Sequence, residues 1–180
     1  MEVFDILLVG IEASIALAGF AGVIATYQTS DVTKVRRTVI AGLSVTVQFS
    51  LLAALACSIP LLLSAFGVKS ATLWFISSVA AVILMACAAY GSAASVKGVI
   101  AKKSSWVLYR LLQGLAALVV LALILNAADL VFHREPGPVV AGVFYALSVA
   151  GYTFSRLLLH PLWRIVSEQE AANSRATSPP

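Results

Sequence analysis

An all-α integral membrane bundle of five transmembrane helices is the fold class this chain predicts, and three observations predict it. Of its 180 residues, 61% are apolar and only 11% charged, with a mean hydropathy of +0.98. An average soluble domain is about 45–50% apolar and about 25% charged. Five stretches are free of Asp, Glu, Lys and Arg: 13–30, 38–68, 70–96, 111–128 and 136–155. Each is near or above the roughly 17–25 residues that cross hydrocarbon as a helix. Finally, the basic residues gather at the ends of these stretches and on alternate sides. A globule this small could not hide so much apolar surface, which excludes soluble enzymes, nucleic-acid binders and disordered chains.

The first helix is placed at 6–27. The start, Met-Glu-Val-Phe-Asp, is acidic and lacks the basic region of a cleaved signal peptide, so this span is expected to be retained. The second helix, 39–66, is long and is expected to tilt or bend at Pro60, where one backbone bond is lost. A tight turn at 67–70 (Gly-Val-Lys-Ser) leads into the third helix, 71–94. The fourth, 106–132, is stopped by 133–138 (His-Arg-Glu-Pro-Gly-Pro), and the fifth runs 139–160. Residues 1–160 thus form a single transmembrane domain. In the remainder, 161–180, the stretch 162–166 is amphipathic and is expected to lie on the membrane surface, with a disordered tail after it. No loop is large enough to form a domain, and no internal repeat is visible.

Ten basic residues fall on one side: Lys34, Arg36, Arg37, Lys97, Lys102, Lys103, Arg110, Arg156, Arg164 and Arg175. The other side has only Lys69 and Arg134, with Glu2, Asp5 and Glu135 beside them. By the positive-inside rule the amino terminus is outside and the carboxyl terminus cytoplasmic. The net charge of +4 and the pI near 9.3 therefore read as an orientation signal. No nucleic-acid partner is implied.

Glu12 is an acid set well inside a span and most needs an explanation. Counted from residue 6 it lies roughly 9 Å below the outer boundary at 1.5 Å per residue. An acid at such depth is paired, protonated or wet, and reads either as a proton or cation site or as glue between helices. Counting the other helices in alternating directions puts Ser58, Ser77, Ser78, Asn126 and Tyr145 at roughly 7–12 Å by the same rise. These residues predict a polar layer around Glu12, which is expected to face protein. Asn126 and Tyr145 are its informative members, because an amide and a phenol in hydrocarbon both want partners.

At 100° per residue the first helix has three sides. Ile6, Ala13, Leu17, Phe20 and Ile24 make a bulky side, assigned to lipid. Gly10, Ser14, Ala18, Ala21 and Ala25 make a smooth side that lets another backbone approach. Glu12, Ala16, Gly19 and Val23 make the third, so two sides are expected to be packed. Gly19 and Gly22, spaced i,i+3, are a variant of the small-residue packing motif. On the fifth helix Tyr145, Ser148, Tyr152, Ser155 and Arg156 form a polar-aromatic stripe, either a path lining or a packed interface. Gln48 and Gln113 are read in the same two ways.

Several chemistries are excluded. His133 and His160 are the only histidines and stand at segment ends, so no buried pair can ligate a haem. There is no HExxH and no Cys-His set with zinc spacing. No lysine within a span could anchor a retinal, and no helix repeats arginines as a voltage sensor does. Cys57 and Cys87 count to roughly 14 and 24 Å of depth, too far apart to bridge. No metal, no cofactor and no enzymatic activity are expected.

The string 12–22 (Glu-Ala-Ser-Ile-Ala-Leu-Ala-Gly-Phe-Ala-Gly) resembles the first helix of small bacterial multi-pass membrane proteins of uncharacterised activity. The resemblance covers about a tenth of the chain. It implies a bacterial inner-membrane setting and carries no activity with it. Two functions follow from the residues. One is a small homo-oligomeric channel or transport protein for protons or cations, with Glu12 in or beside the path. The other is a non-conducting accessory or scaffold subunit that joins other membrane subunits. In both the lipid bilayer is the principal partner.

Overall fold

A computed structural model describes residues 2–29, 37–96 and 103–177, with side chains for 2–26, 40–92, 107 and 109–159. The described residues form five helices: α1 (Val3–Thr29), α2 (Arg37–Ala65), α3 (Ser70–Val96), α4 (Lys103–Ala127) and α5 (Gly137–Thr177). Each holds an apolar window of 19 to 26 residues able to cross a membrane. At 1.5 Å per residue these windows measure about 28–39 Å, against about 30 Å of hydrocarbon. The chain is an all-α transmembrane bundle. The loops 30–36 and 97–102, with Lys34, Arg36, Lys97 and Lys102, lie outside the described residues.

α1, α3 and α5 begin at one end of the bundle, here the near end, where α2 and α4 finish; Phe4 stacks on Trp74 there, with centroids 6.5 Å apart. α2 is the central helix and packs on α1, α3 and α5, whereas α4 meets α3 and α5. Exposure follows from this order: 50% of the α2 window is buried but only 11% of the α4 window. Val45, Phe49, Leu52 and Cys57 of α2 share one buried apolar core with Leu7, Met85 and Ala146. Without a hydrophobic force between helices in lipid, such contacts rest on close fit, which small residues permit. Gly42 is one such place: a Cβ there would come within 2.9 Å of Leu157 Cδ2.

The helix ends explain two boundaries. α2 stops at Ala65 because Gly67 takes a left-handed conformation at φ 70°. Its N–H bonds the Ser64 carbonyl at 3.0 Å and Val68 N–H bonds that of Leu63 at 3.2 Å, the Schellman pattern. The same pattern ends α4, with Asp129 at φ 59° in the glycine's place. Asp129 N–H bonds the Asn126 carbonyl at 3.3 Å and Leu130 N–H that of Leu125 at 3.1 Å. This corrects the expected end at 132: residues 130–132 are apolar and look helical, but the cap comes before them. Pro60 is buried and α2 runs through it without a break.

The candidate span of α5 ends at Leu159, beside the expected 160, but the helix itself runs on. It continues as one helix through Pro161 to Thr177, 41 residues in all, or about 62 Å. A lone proline removes one backbone bond, and the residues after it (Leu, Arg, Glu, Gln, Ala) favour helix. Residues 161–177 therefore prolong α5 beyond its span.

Candidate intramembrane site

Glu12 stands nine residues after Val3, about 14 Å into α1 at the helical rise, in the middle of the Val3–Thr26 window. Its rotation on the helix is set by its neighbours. Leu7, Ser14 and Ala21 are buried to 1% exposure or less, and Ser14 Oγ donates to the Gly10 carbonyl at 2.6 Å. Gly10 is the point of closest approach: a Cβ there would lie 2.8 Å from Cys57 Sγ and 3.4 Å from Val143 Cγ1. Glu12 is two residues from Ser14, hence about 160° around the helix from the buried line.

Glu12 is accordingly exposed, with Ala16, Gly19 and Val23 on the same side. No hydrogen bond or ion pair reaches it among the described residues. Glu12 is expected to face protein; within its own chain it does not. The bulky side, assigned to lipid, is instead partly packed: Ile6, Ala13, Leu17 and Ile24 are half-buried. Phe20, though exposed, meets Phe154 of α5 with ring centroids 6.3 Å apart. The physical reason is that α2 and α5 seat on the line of small residues, and this choice turns the opposite side outward. Gly10 and Ser14 pack as expected and Ala18 is half-buried, but Gly19 and Gly22 are exposed with nothing within 4 Å of a Cβ.

Of the expected polar layer, one pair comes together. Asn126 Nδ2 donates to Ser78 Oγ at 2.9 Å and to the Glu135 carbonyl at 3.0 Å, while Glu135 N–H donates to Asn126 Oδ1 at 3.0 Å. Tyr145 is elsewhere. Its hydroxyl donates to the Leu112 carbonyl at 3.2 Å and its ring meets Phe49 edge-on at 6.4 Å. Leu112 lies fourteen residues before Asn126 on α4, about 21 Å away along the axis. Asn126 and Tyr145 thus occupy different levels, and no single layer joins them to Glu12. Because α4 ends at Ala127, Asn126 lies in its last turn, buried at the near end, and not at the depth that an end at 132 implies. Ser58 bonds its own helix at the Ala54 carbonyl, 2.7 Å. Ser77 is buried without a hydrogen-bond partner among the described residues.

The α5 stripe also divides. Tyr145 is buried and Tyr152 half-buried, whereas Ser148, Ser155 and Arg156 are exposed. Ser148 and Ser155 bond the carbonyls of Phe144 and Gly151 on their own helix at 2.7 and 2.8 Å. Arg156 lies over the Tyr152 ring at 6.0 Å. Gln48 is packed between α2 and α3, where a Cβ on Gly91 would reach within 2.5 Å of its Nε2. Gln113 is exposed on α4. One buried link was not foreseen: Thr46 and Thr153 join α2 to α5 hydroxyl to hydroxyl at 2.9 Å. Two isolated threonines, more than a hundred residues apart, leave no signal of it in the chain.

These features define a multi-pass α-helical membrane protein whose interior polar groups are largely spent on packing, with one acid turned outward at mid-span. No family model, no curated protein and no solved structure matches the chain.

Proposed function

We propose that the chain is a small oligomeric channel or transport protein of the bacterial inner membrane, with its amino terminus outside, and that Glu12 stands in or beside a path for protons or cations formed between subunits. The reading assigns it no enzymatic activity. The observation that carries it is the position of Glu12: an ionisable side chain at mid-span, on the outside of the bundle, with no partner in its own chain among the described residues. An acid at a span centre costs on the order of 2–3 kcal/mol on insertion scales, and such residues face protein or water in an assembly rather than lipid. The interior argues against a path within one subunit, since α2 and its neighbours meet through glycines already filled by Cys57, Leu157 and Gln48.

A second reading, a non-conducting accessory or scaffold subunit, is favoured by the way Asn126, Gln48 and Thr46 hold helices together. Reconstitution separates the two. In liposomes, proton or cation flux that Glu12→Gln abolishes supports the channel. Absence of flux, with Glu12→Gln silent and Glu12→Leu loosening the assembly, supports the accessory subunit.

A further inference from the structure

We propose that the α4–α5 connection is a latch set by bilayer thickness: in thicker membranes it opens, and α4 lengthens from Ala127 to Phe132. The proposal goes beyond the reading above and does not depend on flux. α4 is short for a span. Between Arg110 and its cap the uncharged helix runs 111–127, about 26 Å at the helical rise, against about 30 Å of hydrocarbon. The uncharged helical stretches of α2 and α3, 38–65 and 70–96, come to about 40 Å. The missing length follows directly in the chain. Leu130, Val131 and Phe132 are apolar, and the first two are exposed at 69% and 53%.

The capped form works against itself. Asp129, His133 and Arg134 hold φ at 59°, 49° and 60°, a region that side chains resist because Cβ crowds the following carbonyl oxygen. Val131 and Phe132 N–H have no hydrogen-bond partner among the described residues. In a longer α4 they would bond the Ala127 and Ala128 carbonyls, and Asp129 would leave the left-handed region. On the other side stand the two Asn126–Glu135 bonds, each 3.0 Å, and the bond from Glu135 N–H to the Phe132 carbonyl, also 3.0 Å. Arg134 adds to them, its guanidinium 5.6 Å over the Phe75 ring. Asp129 in the last turn of a longer helix would also oppose its dipole. The connection has length enough for either form. Residues 133–136 reach up to about 17 Å. A rise of five residues and a gap of about 9 Å between helix axes need about 12 Å. With so few bonds on each side, the membrane tips the balance, since a span shorter than the hydrocarbon is penalised for every ångström of mismatch.

The test uses the full chain in phosphatidylcholine vesicles whose acyl chains run from fourteen to twenty-two carbons, with residue-level amide exchange as the readout. From the thinnest to the thickest, exchange at Val131 and Phe132 is expected to slow about tenfold while that at Glu135 quickens about tenfold. The first two amides gain helical bonds, and the third loses both of its acceptors. Two variants move this crossover in opposite directions. Asn126→Ala removes the clamp and should bring it to shorter acyl chains. Asp129→Gly favours the cap and should delay it to longer ones. Exchange that ignores acyl length at all three amides overturns the proposal. So does a change of one sign at Val131, Phe132 and Glu135 alike, which marks general loosening or tightening instead of one arrangement replacing another. Should Asn126→Ala not fold, Asp129→Gly decides the matter: a crossover that stays in place or comes earlier overturns the latch.

Discussion

Asn126 and Glu135 are joined in both directions: the Asn126 amide donates to the Glu135 carbonyl and accepts from the Glu135 N–H, each at 3.0 Å. The side chain thereby stands in for a strand partner and folds the α4–α5 connection back over the end of α4. Its remaining donor takes Ser78 Oγ on α3 at 2.9 Å, so one buried amide ties three segments. Asp129, His133 and Arg134 all have positive φ within this connection. A loop bent through three such residues needs a fixed anchor.

Asn126→Ala is expected to release that anchor. It leaves Ser78 Oγ and the Glu135 carbonyl without this partner, while Glu135 N–H keeps only its bond to the Phe132 carbonyl at 3.0 Å, at a cost of roughly 1–3 kcal/mol for a buried unsatisfied group. Thermal unfolding in detergent should fall, and amide exchange at Glu135 should rise well before global unfolding. Unchanged protection at Glu135 would show the loop to be held otherwise.

Asp129 occupies a cap position suited to glycine. Asp129→Gly should stabilise α4 by up to about 1 kcal/mol through relief of the left-handed conformation. The lost contact to Arg134, 3.9 Å and exposed, offsets little. Asp129→Val should destabilise, because a β-branched residue resists positive φ. Opposite signs for the two variants are the diagnostic outcome in a melting experiment.

Gly10→Ala drives a methyl to within 2.8 Å of Cys57 Sγ and 3.4 Å of Val143 Cγ1. Neither neighbour is a long flexible chain, so overpacking of roughly 1–3 kcal/mol is expected. Adding Cys57→Ala should recover much of the loss. Gly19→Ala, with open space around it, should leave the stability of the isolated chain unchanged.

Thr46→Val and Thr153→Val each remove one end of the α2–α5 hydroxyl bond. Each should cost about 1 kcal/mol, and the pair less than the sum, because the shared bond is lost only once. A double-mutant cycle with no coupling would mean that the threonines act only through the Gly42 and Val149 carbonyls that they also meet.

Membrane insertion, five helices and the turn at Gly67 follow from the sequence by itself. Partition into lipid is decided residue by residue, and a run of apolar residues long enough to cross is visible without any partner. Left-handed caps are also local, though Asp129 gives a weaker cue than Gly67, so the apolar run 130–132 reads as a continuation of α4. The rotation of α1 is of another kind. A helix that is apolar nearly all round has little periodicity to read, since lipid and neighbouring helices ask for the same side chains. Tertiary packing decided that Gly10, Ser14 and Ala21 would meet α2 and α5 while Glu12 turned outward. It likewise decided that Asn126 would bind Glu135 and that Thr46 would find Thr153. Such fits depend on shape between segments distant in the chain, a property that no single stretch of it carries.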